Sequence, residues 1–258
     1  MTRYSSTHDS RLGNDSRLGN DSRSGNDSRP GLEFDKRFSI PGYRTAPLAQ
    51  YAPATGGGDT HDLGFSTGTT IIGIRAATGI VMAADQRMSL GGRFTANKDV
   101  RKISAVHPTA AMAISGSVGP AQEVIRRLRA EAGLYESRRG ESMNLPALAR
   151  TAGNLVRGLP VAPLLCGVDE TGGHVYELDG SGSVVEYRYA AGGSGMQVAY
   201  GVLEGRLEDD PTPELDTATD AAIAAVEAAS ERDTASGDGV TTATITADGV
   251  TVDQRRAS

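Results

Sequence analysis

Apolar residues are sparse at the start of the chain and become regular only beyond about residue 66. The stretch 69–88, TTIIGIRAATGIVMAADQRM, contains two β-prone apolar runs separated by Thr78-Gly79, and this pattern predicts a hairpin of two strands. Residues 80–84 are apolar at nearly every position, which is typical of a strand covered on both faces. The run 109–117 predicts another strand that ends in small residues.

Two helices are predicted after that strand. Gly119-Pro120 marks the start of the first helix, because proline is well tolerated in a first helical turn. The second helix is predicted over about 142–156, with Gly158 just past its C-terminus. Two more helices are predicted at about 195–206 and 214–232. In the first two helices the apolar residues at helical spacing are Val124, Leu128, Ala132, Tyr135, Leu145, Leu148, Ala152 and Leu155.

The remaining apolar runs predict strands. Three strands are expected at 162–169, 174–179 and 184–190, and a closing hairpin is expected to turn at Asp248-Gly249. The order is therefore strands, two helices, strands, two helices, strands. Clustering of this kind argues against a parallel doubly wound sheet, in which strands and helices alternate one by one. The sequence predicts an α+β fold, a four-layer αββα sandwich of two antiparallel sheets.

The segment before residue 69 has a different composition. It repeats DSRLGN, DSRLGN, DSRSGN and DSRPGL over residues 9–32, and it stays polar and rich in glycine and proline up to about residue 60. Repeats with almost no apolar residues cannot fill a core, so this pattern predicts disorder. Composition alone therefore predicts a boundary near residue 66 between a disordered segment and a folded domain.

Charge and composition restrict the possible functions. The formal net charge is −6, and only three of the 26 basic residues are lysines, so nucleic acid is not an expected partner. No apolar run reaches the ~18 residues of a membrane span, and no export signal is visible, so a cytoplasmic protein without membrane contact is expected. The single cysteine, Cys166, stands among apolar residues and is expected to be a buried, inert thiol.

The usual catalytic signatures are absent from the sequence. None of the four histidines, His8, His61, His107 and His174, stands in a metal-ligand motif, and no cofactor or metal is expected. A threonine at a free N-terminus would combine a hydroxyl nucleophile with an α-amine whose pKa of about 7.7–8.0 suits a general base. Cleavage of Gly68–Thr69 would create such a residue, and glycine before it would allow tight local geometry.

Four motifs stand in order along roughly residues 66–254: TGTTIIGIRAATGIVMAADQRM, KDVRKISAVHPTAAMAISGSVGPAQ, AGGSGMQVAYGVLEG and ERDTASGDGV. Together they resemble the β subunits of archaeal proteasomes, in particular those of halophiles. The resemblance implies the fold of the N-terminal-nucleophile hydrolases and a threonine endopeptidase made as a precursor, with residues 1–68 as a disordered propeptide and residues 69–258 as the catalytic domain. The segment between Asp85 and Lys102 is one residue longer than the archaeal pattern.

The resemblance implies a role for several individual residues. Thr69 resembles the nucleophile, Asp85 the carboxylate that pairs with a lysine, and Lys102, rather than Arg101, that lysine. Gly116 resembles the residue whose N–H donates to the oxyanion. The polar shell around the α-amine would comprise Ser194, Asp233 and Ser236. The residues that match the S1 specificity pocket are Met88, Val100, Ile114 and Val118, and their apolar character predicts cleavage after large apolar residues.

The resemblance also implies partners: sevenfold β rings between rings of α subunits, and an ATPase that delivers unfolded polypeptides. Apolar positions on helices 120–136 and 218–229 are expected to supply contacts between subunits. Two alternatives stay open. One is the bacterial ATP-dependent threonine protease with sixfold rings, which has a similar start to its mature chain. The other is a structural ring subunit that does not cut.

Overall fold

The computed structural model of the chain describes residues 68–256, so the predicted propeptide lies, apart from Gly68, outside the described residues. Twelve strands and four helices form within that range. The strands are β1 (Ile71–Ala76), β2 (Gly79–Asp85), β3 (Met88–Leu90), β4 (Phe94–Asn97), β5 (Ile103–His107), β6 (Ala110–Ala113), β7 (Leu164–Asp169), β8 (Gly172–Leu178), β9 (Val184–Tyr187), β10 (Tyr189–Gly192), β11 (Gly239–Thr246) and β12 (Gly249–Arg256). The helices are α1 (Val118–Arg139), α2 (Leu145–Val156), α3 (Met196–Leu207) and α4 (Leu215–Ser230).

The strands form two five-stranded antiparallel sheets and one small hairpin. The first sheet has the order β10-β1-β2-β11-β12, and the second has the order β5-β6-β7-β8-β9, while β3 pairs only with β4. Helices α3 and α4 pack on the first sheet, and α1 and α2 pack on the second. A third apolar cluster lies between the two sheets. The predicted αββα sandwich of antiparallel sheets is confirmed.

Strand β2 illustrates why the central strands are apolar on both faces. Successive side chains of a strand point to opposite faces. Ile80 and Met82 point into the layer between the sheets, whereas Val81 and Ala83 pack against the helices α3 and α4. Each residue of β2 is buried, and Asp85 at its end is therefore a carboxylate that the fold places in the interior.

The prediction of a single strand over residues 184–190 is wrong. Residues Val184–Tyr187 form β9 at the edge of the second sheet, whereas Tyr189–Gly192 form β10 at the edge of the first. The chain crosses between the sheets at Arg188, whose carbonyl accepts a hydrogen bond from the N–H of Arg75 in β1. Continuous β propensity hid this crossing, because membership of a sheet depends on partners distant in the sequence.

Several element boundaries also differ from the predictions. The hairpin turns are at 77–78 and 247–248, each one residue earlier than predicted, and the strand predicted over 109–117 is confined to Ala110–Ala113. Helix α1 begins two residues before Pro120, and α2 begins at Leu145 behind the cap residue Asn144. Strands β3, β4 and β5 were not predicted.

Most of the apolar positions expected to contact other subunits are instead used within the subunit, although Leu134 of α1 is exposed. Val124 and Leu128 of α1 are buried in one helix–sheet cluster, and five of the seven alanines of α4 are also buried, four of them in the other helix–sheet cluster. The predicted role of those helices in assembly is therefore wrong for these side chains, because amphipathic spacing indicates burial but not the partner. The exposed large apolar residues of the described region are Leu90, Phe94, Leu134, Val184, Val185, Tyr187 and Met196.

Candidate active site

Thr69 is buried immediately before β1, beneath the loop that joins β10 to α3. Its side chain and backbone are together only 1% exposed. The N–H of Gly195 donates to the Thr69 carbonyl over 3.3 Å, and the N–H of Thr69 donates to Ser194 Oγ over 3.1 Å. Gly193 adopts a φ of +88°, and a Cβ there would overlap the Thr69 carbonyl oxygen. The glycines of GGSG thus allow this loop to approach Thr69 closely.

Lys102 and Asp85 form a buried ion pair beside the Thr69 hydroxyl. Lys102 Nζ lies 2.6 Å from Asp85 Oδ1 and donates to Thr69 Oγ1 over 3.1 Å. Asp85 stands at the end of β2 and Lys102 immediately before β5, so the two sheets each contribute one partner. The side chains are 0% and 4% exposed, respectively. The fold thus places a cation against a threonine hydroxyl inside the protein.

Burial has opposing consequences for this pair. Desolvation lowers the pKa of Lys102 below its ordinary value, while the neighbouring carboxylate of Asp85 acts in the opposite direction. Asp85 also accepts backbone N–H bonds from Thr70 at one oxygen and from Arg87 and Gly237 at the other. Four donors therefore surround one buried carboxylate, which fixes both its position and the position of the lysine.

Ser194, Asp233 and Ser236 form a second polar cluster on the other side of Thr69. Asp233 Oδ2 accepts hydrogen bonds from Ser194 Oγ over 2.5 Å and from Ser236 Oγ over 2.7 Å. Ser194 Oγ in turn accepts the Thr69 N–H. The structure therefore joins the three predicted residues in one network that ends at the nitrogen of Thr69, which would become the α-amine after cleavage.

Three residues of the site were not predicted as parts of it. Thr70 bonds through its hydroxyl to Ser236 Oγ at 2.8 Å. Arg87 bonds to Asp238 Oδ2 over 2.7 Å and to the Thr234 carbonyl, and so fixes the loop that carries Asp233 and Ser236. The third is Ser89. The only sequence signal among the three is that of Arg87, which stands two residues after Asp85 within the first motif.

The predicted oxyanion donor and the predicted specificity residues lie in or next to the segments that follow Asp85 and Lys102 in the chain. Gly116 stands between β6 and α1 and forms an isolated bridge with Val161. The N–H of Ile114 donates to the Lys102 carbonyl, and that of Val100 to the Gln86 carbonyl, each over 3.0 Å. Met88 is in β3 and Val118 begins α1. All four predicted specificity residues are half-buried, and their role stays a prediction.

Other candidate chemistry is not supported within residues 68–256. Cys166 is fully buried in β7, and burial raises the pKa of its thiol far above the usual range, as expected for an inert side chain. No cluster of three or more His, Cys, Asp or Glu side chains in the described range has an arrangement suited to a metal ion. None of the helices in that range has the length and apolar character needed to cross a bilayer.

Gly68 is the residue before Thr69, and its lack of a side chain is required by a close contact. A Cβ at this position would overlap Ala235 Cβ and lie 2.8 Å from Ala235 Cα. Because part of the obstacle is backbone, it cannot be relieved by a rotamer change. The Gly68 carbonyl oxygen, meanwhile, accepts from Thr69 Oγ1 over 2.7 Å and from Lys102 Nζ over 3.4 Å.

Replacing Gly68 by alanine is therefore expected to displace this carbonyl from the Thr69 hydroxyl. If the Gly68–Thr69 peptide bond is the cleavage site, the first-order rate of its cleavage in the purified protein should fall at least about 100-fold, as misplaced reacting groups commonly cause. Gly133→Ala is the matched control, because nothing lies within 4 Å of a Cβ at this exposed position in the helix α1. Gels and intact mass spectra over time measure the rate, and cleavage of Gly68→Ala at the wild-type rate would contradict the geometric argument.

Comparison with known proteins finds relatives over most of the described region. Residues 65–245 match the family model of proteasome subunits. A protein of Halorhabdus utahensis named proteasome subunit beta is 51% identical in an alignment of 219 residues that covers 82% of this chain and 91% of the relative. Proteasome subunit beta 1 of Haloarcula marismortui is 52% identical over 189 residues, 72% of this chain and 78% of the relative. Proteasome subunit beta of Natronomonas pharaonis is 48% identical over 215 residues, 80% and 89% of the two chains.

Proposed function

The chain belongs to the family of proteasome subunits as a β subunit of the core particle, and from that premise we propose that it is a threonine endopeptidase whose nucleophile is Thr69. One observation carries the proposal: the Thr69 hydroxyl lies 3.1 Å from the amine of Lys102, which is paired with the buried Asp85. A threonine that merely begins a strand needs no buried cation beside it, since burying an ion pair is costly unless the pair is well satisfied.

The proposed reaction of the precursor begins at the intact Gly68–Thr69 bond. Thr69 Oγ attacks the Gly68 carbonyl carbon, and Lys102 in its neutral form accepts the hydroxyl proton. The carbon–nitrogen bond then breaks, the proton passes to the Thr69 nitrogen, and an ester between Gly68 and Thr69 Oγ remains. Water hydrolyses that ester, which releases residues 1–68 as a carboxylic acid and leaves Thr69 with a free amine. The amide nitrogen cannot itself be the base before this step, because its lone pair is delocalised.

Hydrolysis of other polypeptides would use the amine that this cleavage creates. The amine would accept the proton of Thr69 Oγ, while Ser194, Asp233 and Ser236 orient it through the network that ends at Ser194 Oγ. The hydroxyl oxygen bonds to the substrate carbonyl carbon, the amine of the leaving peptide departs with the proton, and water releases the acyl group. The N–H of Gly116 is the proposed donor to the oxyanion of the tetrahedral intermediate.

The family supports the association of this subunit with α subunits, and the rest of its assembly is proposed. Proteasome β subunits form core particles with α subunits. We propose sevenfold β rings between α rings in the cytoplasm, with an ATPase that supplies unfolded polypeptides through the α rings. A particle with sixfold rings, as in the bacterial ATP-dependent threonine protease, would have a lower native mass. A structural ring subunit that does not cut would retain its N-terminal segment in the assembled particle.

The proposed nucleophile can be tested by covalent labelling of assembled particles. A peptide that ends in an electrophilic leucine derivative should form an adduct on the N-terminal peptide that begins at Thr69, identified by digestion and mass spectrometry. The same peptide ending in an electrophilic aspartate derivative should label at least tenfold more slowly, because Met88, Val100, Ile114 and Val118 are apolar and leave a carboxylate unpaired.

Three outcomes would contradict the proposed nucleophile, the predicted specificity or the catalytic role, respectively. An adduct on Ser194 or Cys166 instead of Thr69 would contradict the proposed nucleophile. Faster labelling by the acidic peptide would contradict the predicted specificity but leave the nucleophile unaffected. No labelling, together with an intact N-terminus in particles of the expected native mass, would favour the structural ring subunit.

A further inference from the structure

The amide N–H of Gly68 has a partner that the proposed mechanism does not use. It donates to Ser89 Oγ over 3.1 Å, and the bond is buried. Ser89 is 1% exposed. Gly68 is also the residue whose carbonyl would be attacked, so the two peptide groups that flank its Cα are both held: Ser89 accepts from its N–H, and Thr69 and Lys102 donate to its carbonyl oxygen.

A local irregularity directs the Ser89 side chain toward Gly68. Strands β3 and β4 pair at Met88 with Asn97 and at Ser89 with Thr95, so that one residue of β4 is left over and the register shifts between Met88 and Ser89. Bulges of this kind redirect a side chain and are frequent beside active sites. Here Ser89 is buried, whereas its neighbours Met88 and Leu90 are half-buried and exposed, respectively.

We propose that Ser89 is a positioning residue for the self-cleavage of the precursor, an inference that rests on the proposed cleavage at Gly68–Thr69. Glycine has the greatest backbone freedom of any residue, so the orientation of the Gly68 carbonyl is not fixed by its own conformational preference. The bond from its N–H to Ser89 Oγ limits that freedom. It thereby keeps the carbonyl carbon in front of Thr69 Oγ.

The contact between Gly68 and Ser89 should matter more for self-cleavage of the precursor than for hydrolysis of other peptides. Any residue with a side chain at the position of Gly68 would collide with Ala235, so a substrate with a large apolar residue before the cut must lie along a different path. Loss of the Ser89 hydroxyl should therefore slow self-cleavage by a larger factor than it slows hydrolysis of peptides by particles that have already been processed.

The test compares two isosteric variants of the full chain, Ser89→Val and Ser89→Thr, in assembled particles. Both add the same branch, but only threonine retains the hydroxyl. Self-cleavage, followed by intact mass, should be about tenfold slower in Ser89→Val than in Ser89→Thr, the factor expected for one lost hydrogen bond of ordinary strength. Ser230→Ala, which removes a hydroxyl bonded within α4, should cleave at the wild-type rate.

Processed particles of both variants are then isolated and their peptide hydrolysis is measured per free Thr69 terminus. A larger difference between the variants in self-cleavage than in peptide hydrolysis supports the proposal. Equal rates of self-cleavage for Ser89→Val and Ser89→Thr would overturn it, as would equal losses in both reactions, which would indicate a general structural role. A wild-type chain that never loses residues 1–68 would instead contradict the proposed cleavage itself.

Discussion

Replacement of Thr69 by alanine should abolish peptide hydrolysis and leave residues 1–68 attached to the chain. Both effects have one cause, because the same hydroxyl would attack the Gly68 carbonyl in the precursor and the carbonyl of every later substrate. In another hydrolase, removal of the nucleophile lowers kcat by about 10⁶, so no hydrolysis should be detectable. Intact mass spectrometry and a fluorogenic peptide assay on the same assembled particles measure the two effects together.

Two controls make this result specific to the hydroxyl of Thr69. Thr69→Ser retains a hydroxyl nucleophile and should still be cleaved after Gly68. Thr78→Ala lies in the exposed turn between β1 and β2 and should match the wild type in both assays. Removal of residues 1–68 from Thr69→Ala, in the absence of other proteases, would mean that another group performs the cleavage.

Replacement of Lys102 by arginine should slow self-cleavage by about 10²–10⁴-fold, the usual contribution of a general acid–base group. Arginine keeps the positive charge beside Asp85 and so avoids an unpaired buried carboxylate, whose cost in folding free energy would be about 3–5 kcal/mol. However, a guanidinium does not lose its proton at ordinary pH and cannot accept the proton of Thr69 Oγ. The matched control is Arg101→Ala, which removes the adjacent exposed cation and should cleave normally.

The pH dependence of self-cleavage provides a second readout for Lys102. Burial lowers the pKa of this amine, so a larger fraction is neutral at a given pH than for an exposed lysine. Because the neutral form is the proton acceptor, the wild-type rate should rise as pH increases through this lowered pKa and level off above it. The residual rate of Lys102→Arg should lack this rise. A full wild-type rate in Lys102→Arg, or a strong loss in Arg101→Ala, would contradict the assignment.

The architecture could be predicted because it depends on the order and periodicity of apolar runs. Strand β2 is apolar along its length because the fold covers both of its faces. Gly158, predicted to stand just past the second helix, does follow the end of α2 and has a φ of +77°. The crossing at Arg188 could not be predicted, since VVEYRYA has uniform β propensity and the two halves differ only in their partners. Strand β5 was missed because charged residues precede a short apolar run.

The main residues of the candidate site could be predicted from the sequence, but the residues that hydrogen-bond to them could not. Thr69, Asp85 and Lys102 stand in separate motifs, and the structure brings them together at the meeting of two sheets. Ser89 and Thr70 have no sequence signal of their own, because a serine or threonine in a strand can face solvent, core or site. Their partners, Gly68 and Ser236, are defined only by the bulge in β3–β4 and by the loop before β11.

The central claim is that cleavage of one bond creates the active site. N-terminal sequencing of the assembled wild-type particle tests it most directly, with intact mass as a check. The predicted sequence is Thr-Thr-Ile-Ile-Gly, which begins at Thr69 and lacks residues 1–68. A mature chain that begins at Thr67 or at any other residue, or that keeps the whole segment while hydrolysing peptides, would contradict the account.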